Sequence, residues 1–295
     1  MLVDAVLGYL DKVSRFDARP FTPLFIGGER MGCVNAEWKE RLLRHEAALF
    51  EENFQGLFCR LGGSYRSISH ALAQAARRWQ QAGWLNGWRN ENFTAFRNDG
   101  SRYFELERAA FRPLGLTSRA VHVNGLCRMA DGEVRMWVGR RSPHKAVDPN
   151  RMDNLVGGGV AAGETLALAL ALEREAWEEA GVSREQVDDL RPVALLLAQR
   201  PVARGLHREW LYVYDLWLEP GAQPLCQDGE VAEHLLLPLE EVERLLVAER
   251  FMIDAALVCL DALCRLGYWG ARNRQVADAL ARVRHDLAAD TAQPA

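Results

Sequence analysis

No apolar run in this chain reaches the roughly 18 residues that a membrane-spanning helix needs. No basic stretch followed by an apolar core opens it, and Asp4 interrupts the N-terminus early, so a secretory leader is not expected. Positive charge is not in excess: the formal net charge is −4, which gives no reason to expect nucleic acid or an anionic membrane as partner. The six cysteines (Cys33, Cys59, Cys127, Cys226, Cys259, Cys264) contain no CxxC pair, which excludes the common zinc spacings. Reduced, mostly structural thiols in a cytoplasmic protein are the expectation. No repeat of 20 to 50 residues is visible. The 49% hydrophobic and 26% charged content is that of an ordinary globular protein, and 295 residues suffice for about two domains.

What is present concentrates between Gly157 and Val182. Glu175, Glu178 and Glu179 stand at i, i+3 and i+4, and at about 100° per residue they share one sector of a helix. Three like charges there repel one another. Gly181 predicts the helix end just beyond them, where anions oppose the macrodipole. Such a set needs a cation. Arg174 supplies one charge, and a hard ion such as Mg²⁺ or Mn²⁺, bound through oxygen and keeping waters for substrate phosphates, would supply the rest. Three Glu alone are ordinarily a solvated acidic face. Here Gly157, Gly158, Gly159 and the pair Gly163-Glu164 precede them, and a glycine run ahead of a helix lets backbone approach an anionic ligand.

The period of the apolar residues sketches the rest. Leu2 to Val13 repeats helically, a second helix runs from about Ala36 after an Asn35 cap to Phe50, and a third from about Ser64 to Gln81. Residues 93–96 and 103–106 flank Asn98-Asp99-Gly100 as a hairpin. From about Ser118 strands dominate: 120–129 and 134–141 around Asp131-Gly132, then 192–198 and 209–218, with helices at 240–248 and 253–266. The Leu-Ala alternation of residues 166–172 is apolar all round and is expected to be buried. The division expected is 1–117, a smaller α+β N-terminal domain; 118–270, the main domain; and 271–295, a helical or frayed tail. The N-terminal domain is expected to line the substrate cleft or to form a homodimer contact.

Residues 174–182, REAWEEAGV, resemble the REUxEExGU signature of the Nudix hydrolases, in which U is a bulky apolar residue; only the small Ala176 departs from it. The resemblance implies an α/β/α sandwich with a mixed sheet, and a Mg²⁺- or Mn²⁺-dependent enzyme that cleaves small-molecule diphosphates. Nine residues separate Glu164 from Arg174, two more than the family pattern has. The extra pair must be absorbed upstream of the acids, which predicts that Glu175, Glu178 and Glu179 still converge opposite the glycines while Glu164 is displaced. Other segments resemble one Nudix subgroup, related to the Nudix half of fungal thiamine pyrophosphokinase fusions. They include Trp88-Arg89-Asn90-Glu91, residues 121–125, residues 137–142 with Lys145, residues 152–154, and residues 211–215 with 228–231. That implies hydrolysis of thiamine diphosphate, or of its oxidised analogues, to the monophosphate.

The site expected on these grounds has Glu175, Glu178 and Glu179 as metal ligands and catalytic acids, with Arg174 restraining them. Glu230, ahead of Glu233, is the first choice for an extra base. Arg140, Arg141 and Lys145 are candidates to hold phosphate, the arginines as forks and the lysine as a point charge, beside Gly157, Gly158 and Gly159. His122 and His144 read better as structural histidines. Trp88, Trp210, Tyr212 and Tyr214 read better as core than as a ring-stacking platform. Two rivals remain. One is a catalytically silent Nudix-like binding module, which would ordinarily have lost box acids. The other is an isomerase of the isopentenyl diphosphate type, which would need a Cys at position 157.

Overall fold

The structure, a computed structural model, describes residues 1–165 and 168–287. Helix α1 (Val3–Ser14) is followed by a small sheet of β1 (Thr22–Ile26), β2 (Glu29–Val34), β3 (Phe50–Asn53) and β4 (Gly56–Cys59), in the order β2-β1-β4-β3, with α2 (Ala36–His45) between its second and third strands. Then come α3 (Tyr65–Gln81), the hairpin β5 (Asn92–Phe96) and β6 (Arg102–Glu107), and the short α4 (Phe111–Leu114). The Asn35 side chain accepts from the Trp38 amide at 2.9 Å, as the expected cap, and Ser64, the expected start of the third helix, caps it by accepting from the Ser67 amide. The second helix ends five residues short of the expected Phe50. Glu46 turns inward to Arg78 and to the Trp79 indole, and Phe50 instead begins a strand paired with Cys59. One apolar core, built on Trp38, Leu42, Leu72, Trp79 and Phe104, joins the elements from β1 to α4.

The second half is a layered sandwich. In chain order it comprises β7 (Ser118–Arg128), β8 (Val134–Arg141), β9 (Met152–Asp153), β10 (Val156–Gly159), α5 (Leu168–Ala180), α6 (Arg184–Val187), β11 (Ala194–Val202), β12 (Gly205–Leu218), β13 (Val231–Pro238), α7 (Leu239–Val247), α8 (Ile253–Arg265), α9 (Asn273–Leu280) and β14 (Arg284–His285). The main path of the sheet is β13-β8-β7-β12-β11-β14, and it is mixed: β7 and β12 run parallel, the other neighbours antiparallel. Alternation along β12 separates two cores. Leu211 and Val213 pack toward α7, α8 and α9, while Tyr212 and Tyr214 pack toward α5. The first helix belongs to the former side: Val3, Val6, Tyr9, Leu10 and Val13 are buried with α7 to α9, nearly the whole chain away.

One irregularity positions the site. Strand β7 pairs with β8 only over residues 125–128; over 120–123 its partner on that edge is β10. Strand β8 meanwhile pairs with β9 through Gly139 and Arg140. The two long strands diverge past Gly125, and residues 152–159 fill the fork. The expected glycine loop is therefore a paired strand edge, with Gly157 opposite His122 and Gly158 opposite Val121.

Candidate active site

Helix α5 packs on β10 and carries the acids. It ends at Gly181, whose φ of 63° is left-handed, as the C′ position favours. It is not buried all round: Ala171, Leu172 and Ala176 face the sheet, whereas Leu170 is 49% and Trp177 54% exposed. The expectation that residues 166–172 are buried throughout therefore fails for Ala169 and Leu170, because a helix with one face on a sheet must turn its other face outward. Residues 166 and 167 lie outside the described residues.

Glu175 and Glu179 are turned inward against β10. Glu179 accepts from the Gly157 amide at 2.7 Å. A Cβ on Gly158 would lie 1.9 Å from the Glu175 carboxyl carbon, and one on Gly159 would lie 2.7 Å from the Phe93 ring. Closeness of approach is thus what these glycines provide. Arg174 ties the acids together: it donates to Glu175 at 2.8 Å, to Glu178 at 3.1 Å and to the Gly159 carbonyl at 3.2 Å. Its Nε reaches Glu164 at 2.5 Å. Glu164, expected to be displaced by the two extra residues, is held on the same guanidinium. The continuous helix from Leu168 keeps the box spacing, and the preceding turn, closed by a 3.1 Å bond from the Ala161 amide to Glu164, aims that side chain back at Arg174.

Burial pushes the Glu175 carboxyl up to about 7, against the pull of Arg174, with Glu178 and Glu230 adding to the rise. Burial raises Glu179 as well, reinforced by Glu175 and Asp153 and opposed by the Gly157 amide and Lys145. Glu178 is less enclosed, its side chain 40% exposed. The expected convergence of Glu175, Glu178 and Glu179 on one point is not reached: Glu175 and Glu179 turn in against β10, Glu178 stays more exposed, and the three do not bring ligand atoms within 4.8 Å of one another. Among the described residues His207, Glu209 and Asp254 do. There, however, the Arg200 guanidinium already sits on Asp254 at 2.5 Å and supplies the positive charge a metal would bring.

A cleft of about 280 Å³ opens beside Glu175. Gly157, Gly158, Gly159, Arg141, Lys145 and Glu230 line it, and no cysteine does. Lys145 and Glu230 form an ion pair across it. Arg141 is spoken for, with Asp153 at 2.5 Å and the Val147 carbonyl at 3.1 Å. Arg140 is not on the cleft wall; it pairs with Glu233 at 2.5 Å on the other face of β8. His122 is buried and bonded to Asn154 at 2.9 Å, and Tyr212 and Tyr214 are core. Trp88 packs against the N-terminal core, and Trp210 stacks edge-on to His285.

The N-terminal half lines the cleft, one of the two roles expected of it, through Arg89, Phe93, Arg108, Phe111 and Arg112, none of which the sequence marked as a site residue.

The NUDIX domain profile matches residues 118–256, and a domain of unknown function, DUF4743, matches residues 5–118. Nudix hydrolase 20, chloroplastic, of Arabidopsis thaliana is 31% identical over 298 residues, covering 94% of this chain and 78% of that protein. Nudix hydrolase 24, chloroplastic, of the same plant is 32% identical over 204 residues; the match takes in 68% of this chain and only about half, 54%, of that relative. A solved structure, DR0079 from Deinococcus radiodurans, aligns at 26% identity and a TM-score of 0.44, over 57% of this chain and 97% of that one. The chain belongs to the Nudix hydrolase family, whose members cleave pyrophosphate bonds and generally use divalent metals. No helix among the described residues is long and apolar enough to cross a membrane.

Proposed function

We propose that this cleft hydrolyses the diphosphate of a small organic molecule, with thiamine diphosphate or its oxidised analogues as substrate and the monophosphate as product. The observation that carries the hydrolytic reading is the pair Glu175 and Glu179, two carboxylates taken out of water side by side against β10 at the edge of an open cleft. Arg174 and one amide are too little compensation for them. A site that raises two carboxyls in this way fits a hard divalent ion bound through oxygen. Glu175, Glu178 and Glu179 would hold it, and when bound it supplies Lewis acidity toward the phosphoryl oxygens and the attacking water.

The chain's own groups do the remainder. Arg174 fixes the rotamers of Glu175, Glu178 and Glu164. The side-chain-free edge of Gly157 to Gly159 lets a phosphate approach backbone. Lys145 brings a point charge to the diphosphate, and that draws it away from Glu230. Glu230, so released, takes the proton of the water that attacks phosphorus. The new P–O bond forms as the bridging P–O bond breaks, leaving the organic monophosphate and inorganic phosphate. The thiamine assignment rests on the subgroup resemblance of residues 88–91, 121–125, 137–145 and 211–215. Residues 1–117 act, in this reading, as an accessory unit to the hydrolase half. Five buried, free cysteines suit a reducing, cytoplasmic setting.

The test is phosphate release from thiamine diphosphate and oxothiamine diphosphate with Mg²⁺ and with Mn²⁺, beside nucleotide sugars and dinucleoside polyphosphates. Turnover of the thiamine compounds above the others supports the assignment. Turnover only of another diphosphate replaces the substrate, and inactivity across the set overturns the enzyme reading.

A further inference from the structure

Arg112 and Arg204 stand where the cleft widens. The cavity beside Glu175 shares Gly87, Arg112, Val147, Arg204 and Met252 with a second cavity of about 590 Å³. That outer cavity continues between Tyr9 and Val13 of α1 and Val202, Phe251 and Ile253 of the hydrolase half. Its size and largely apolar wall suit a compact organic group.

The two arginines come from different halves, Arg112 from α4 and Arg204 from the turn between β11 and β12. Backbone contact holds them together. Gly205 has a φ of 135° and lies so close to α4 that a Cβ there would stand 2.2 Å from the Arg112 carbonyl oxygen. Arg204 donates from Nη1 to the Asn86 carbonyl at 3.1 Å, which fastens the turn to the N-terminal half. Among the described residues neither guanidinium has a carboxylate partner, whereas the neighbouring Arg108 is paired with Glu91. Burial, and then Arg112 and Arg108, lower the Arg204 pKa. The acids on these walls are already matched: Asp254 with Arg200 and His207, Glu249 with Lys12, Asp148 with Arg151, and Glu209 with the Ser118 hydroxyl. Two half-buried, unpaired cations facing one cleft repel each other until an anion lies between them.

We propose that Arg112 and Arg204 form an anion subsite for the phosphate that stays on the organic group. The N-terminal half would then complete the substrate site, and the organic group would enter the outer cavity. This deepens the diphosphatase reading and rests on it for the direction in which the substrate lies.

The test is calorimetric titration of the full-length protein with inorganic pyrophosphate, without divalent ions. Wild type is compared with Arg112→Gln/Arg204→Gln and with a charge-matched control, Arg44→Gln/Arg60→Gln, on exposed residues of the N-terminal half. The cleft pair should lose affinity by about 10-fold or more, because each charge-assisted bond is among the stronger kind, while the control binds as wild type does. Loss of mutual repulsion opposes loss of the Arg204–Asn86 bond, so the cleft variant's melting temperature should stay within a few degrees of wild type. If that variant fails to fold, Arg112→Lys/Arg204→Lys, which keeps charge but not the fork, should bind more weakly than wild type. Wild-type affinity in every folded cleft variant, equal loss in the control, or no pyrophosphate binding by wild type overturns the subsite. Turnover of thiamine diphosphate with Mg²⁺ is read separately. A wild type that binds pyrophosphate through these arginines but releases no phosphate sinks the hydrolase reading and leaves the anion site standing.

Discussion

The Glu175 carboxylate rests on the α-carbon of Gly158, so near that a methyl group there would fall within 2.3 Å of all three of its carboxyl atoms. Acid and glycine are 17 residues apart, yet each sets the position of the other. The contact is with the end of a flexible side chain, so a methyl group moves the acid rather than the strand. Gly158→Ala should therefore fold, with a melting temperature within a few degrees of wild type, and lose activity on the order of 10²-fold through a misplaced carboxylate. Circular dichroism and phosphate release check both halves. A variant with normal turnover would show that Glu175 has no fixed place in the reaction.

Glu178→Gln removes an acid whose side chain is 40% exposed and, among the described residues, is held by Arg174 alone. It should cost little stability and on the order of 10²-fold or more in activity. Near-normal turnover in Mg²⁺ would remove Glu178 from the ligand set.

The pH dependence of the metal-free protein follows from Glu175 and Glu179. Burial raises both, Glu175 to about 7, so in this pair the folded state holds protons that the unfolded chain gives up in the ordinary carboxylate range. The contribution of Glu175 to stability therefore falls as pH rises from about 4.5 to 7, above which its full penalty stands, and Glu179 acts in the same direction. For Glu175 that penalty is on the order of 3 kcal/mol. Glu175→Gln should raise the metal-free melting temperature at pH 8 and flatten its fall across that window. Added Mg²⁺ should stabilise wild type more at pH 8 than at pH 5. A melting temperature that rises steadily from pH 5 to 8 in wild type but not in the variant would contradict the sign.

Asp254 works the other way. Despite complete burial, His207 and Arg200 hold its pKa well below the usual value. Its stabilisation is present above the ordinary aspartate range and is lost as pH falls through the depressed value, below the window of the glutamates. Asp254→Ala strands the Arg200 guanidinium and a buried histidine, and should cost about 3 kcal/mol or more in chemical denaturation. A loss below about 1 kcal/mol would show that Arg200 finds another partner.

Much of this was legible because it is local. Caps at Asn35 and Ser64, the turn residues at 98–100 and 131–132, the glycine after Ala180 and the i, i+3, i+4 acids all act within a few residues, and each element they announce is there. The unread parts depend on distant partners. Strands β1 to β4 are four to six residues long, too short and too irregular in burial for alternation to betray them. Gly157 to Gly159 read as a loop because glycine disfavours strands; only the acids of α5 and the ring of Phe93 pressing on that edge explain the choice. Arg140 and Arg141 looked equivalent in sequence, but strand alternation sends one to Glu233 and the other to Asp153. The meeting of Arg112 with Arg204 joins residues from two halves of the chain, and no local rule reaches that far.

Helix α1 packs with α7 to α9, and the Leu2 amide bonds Glu243 at 2.7 Å across 241 positions. During synthesis this helix must therefore wait for partners that lie up to 241 positions further along the chain. At typical ribosomal speeds of about 5 to 20 residues per second that interval is on the order of 10 to 50 s. Throughout it Val3, Val6 and Leu10 have no core to enter, and the face of the sheet they will cover stays open. Newly made copies should thus expose these apolar side chains before the acids of α5 are in place, and variants of Val3, Val6 and Leu10, which lie away from the cavity wall, should reveal themselves as lost yield rather than as altered turnover.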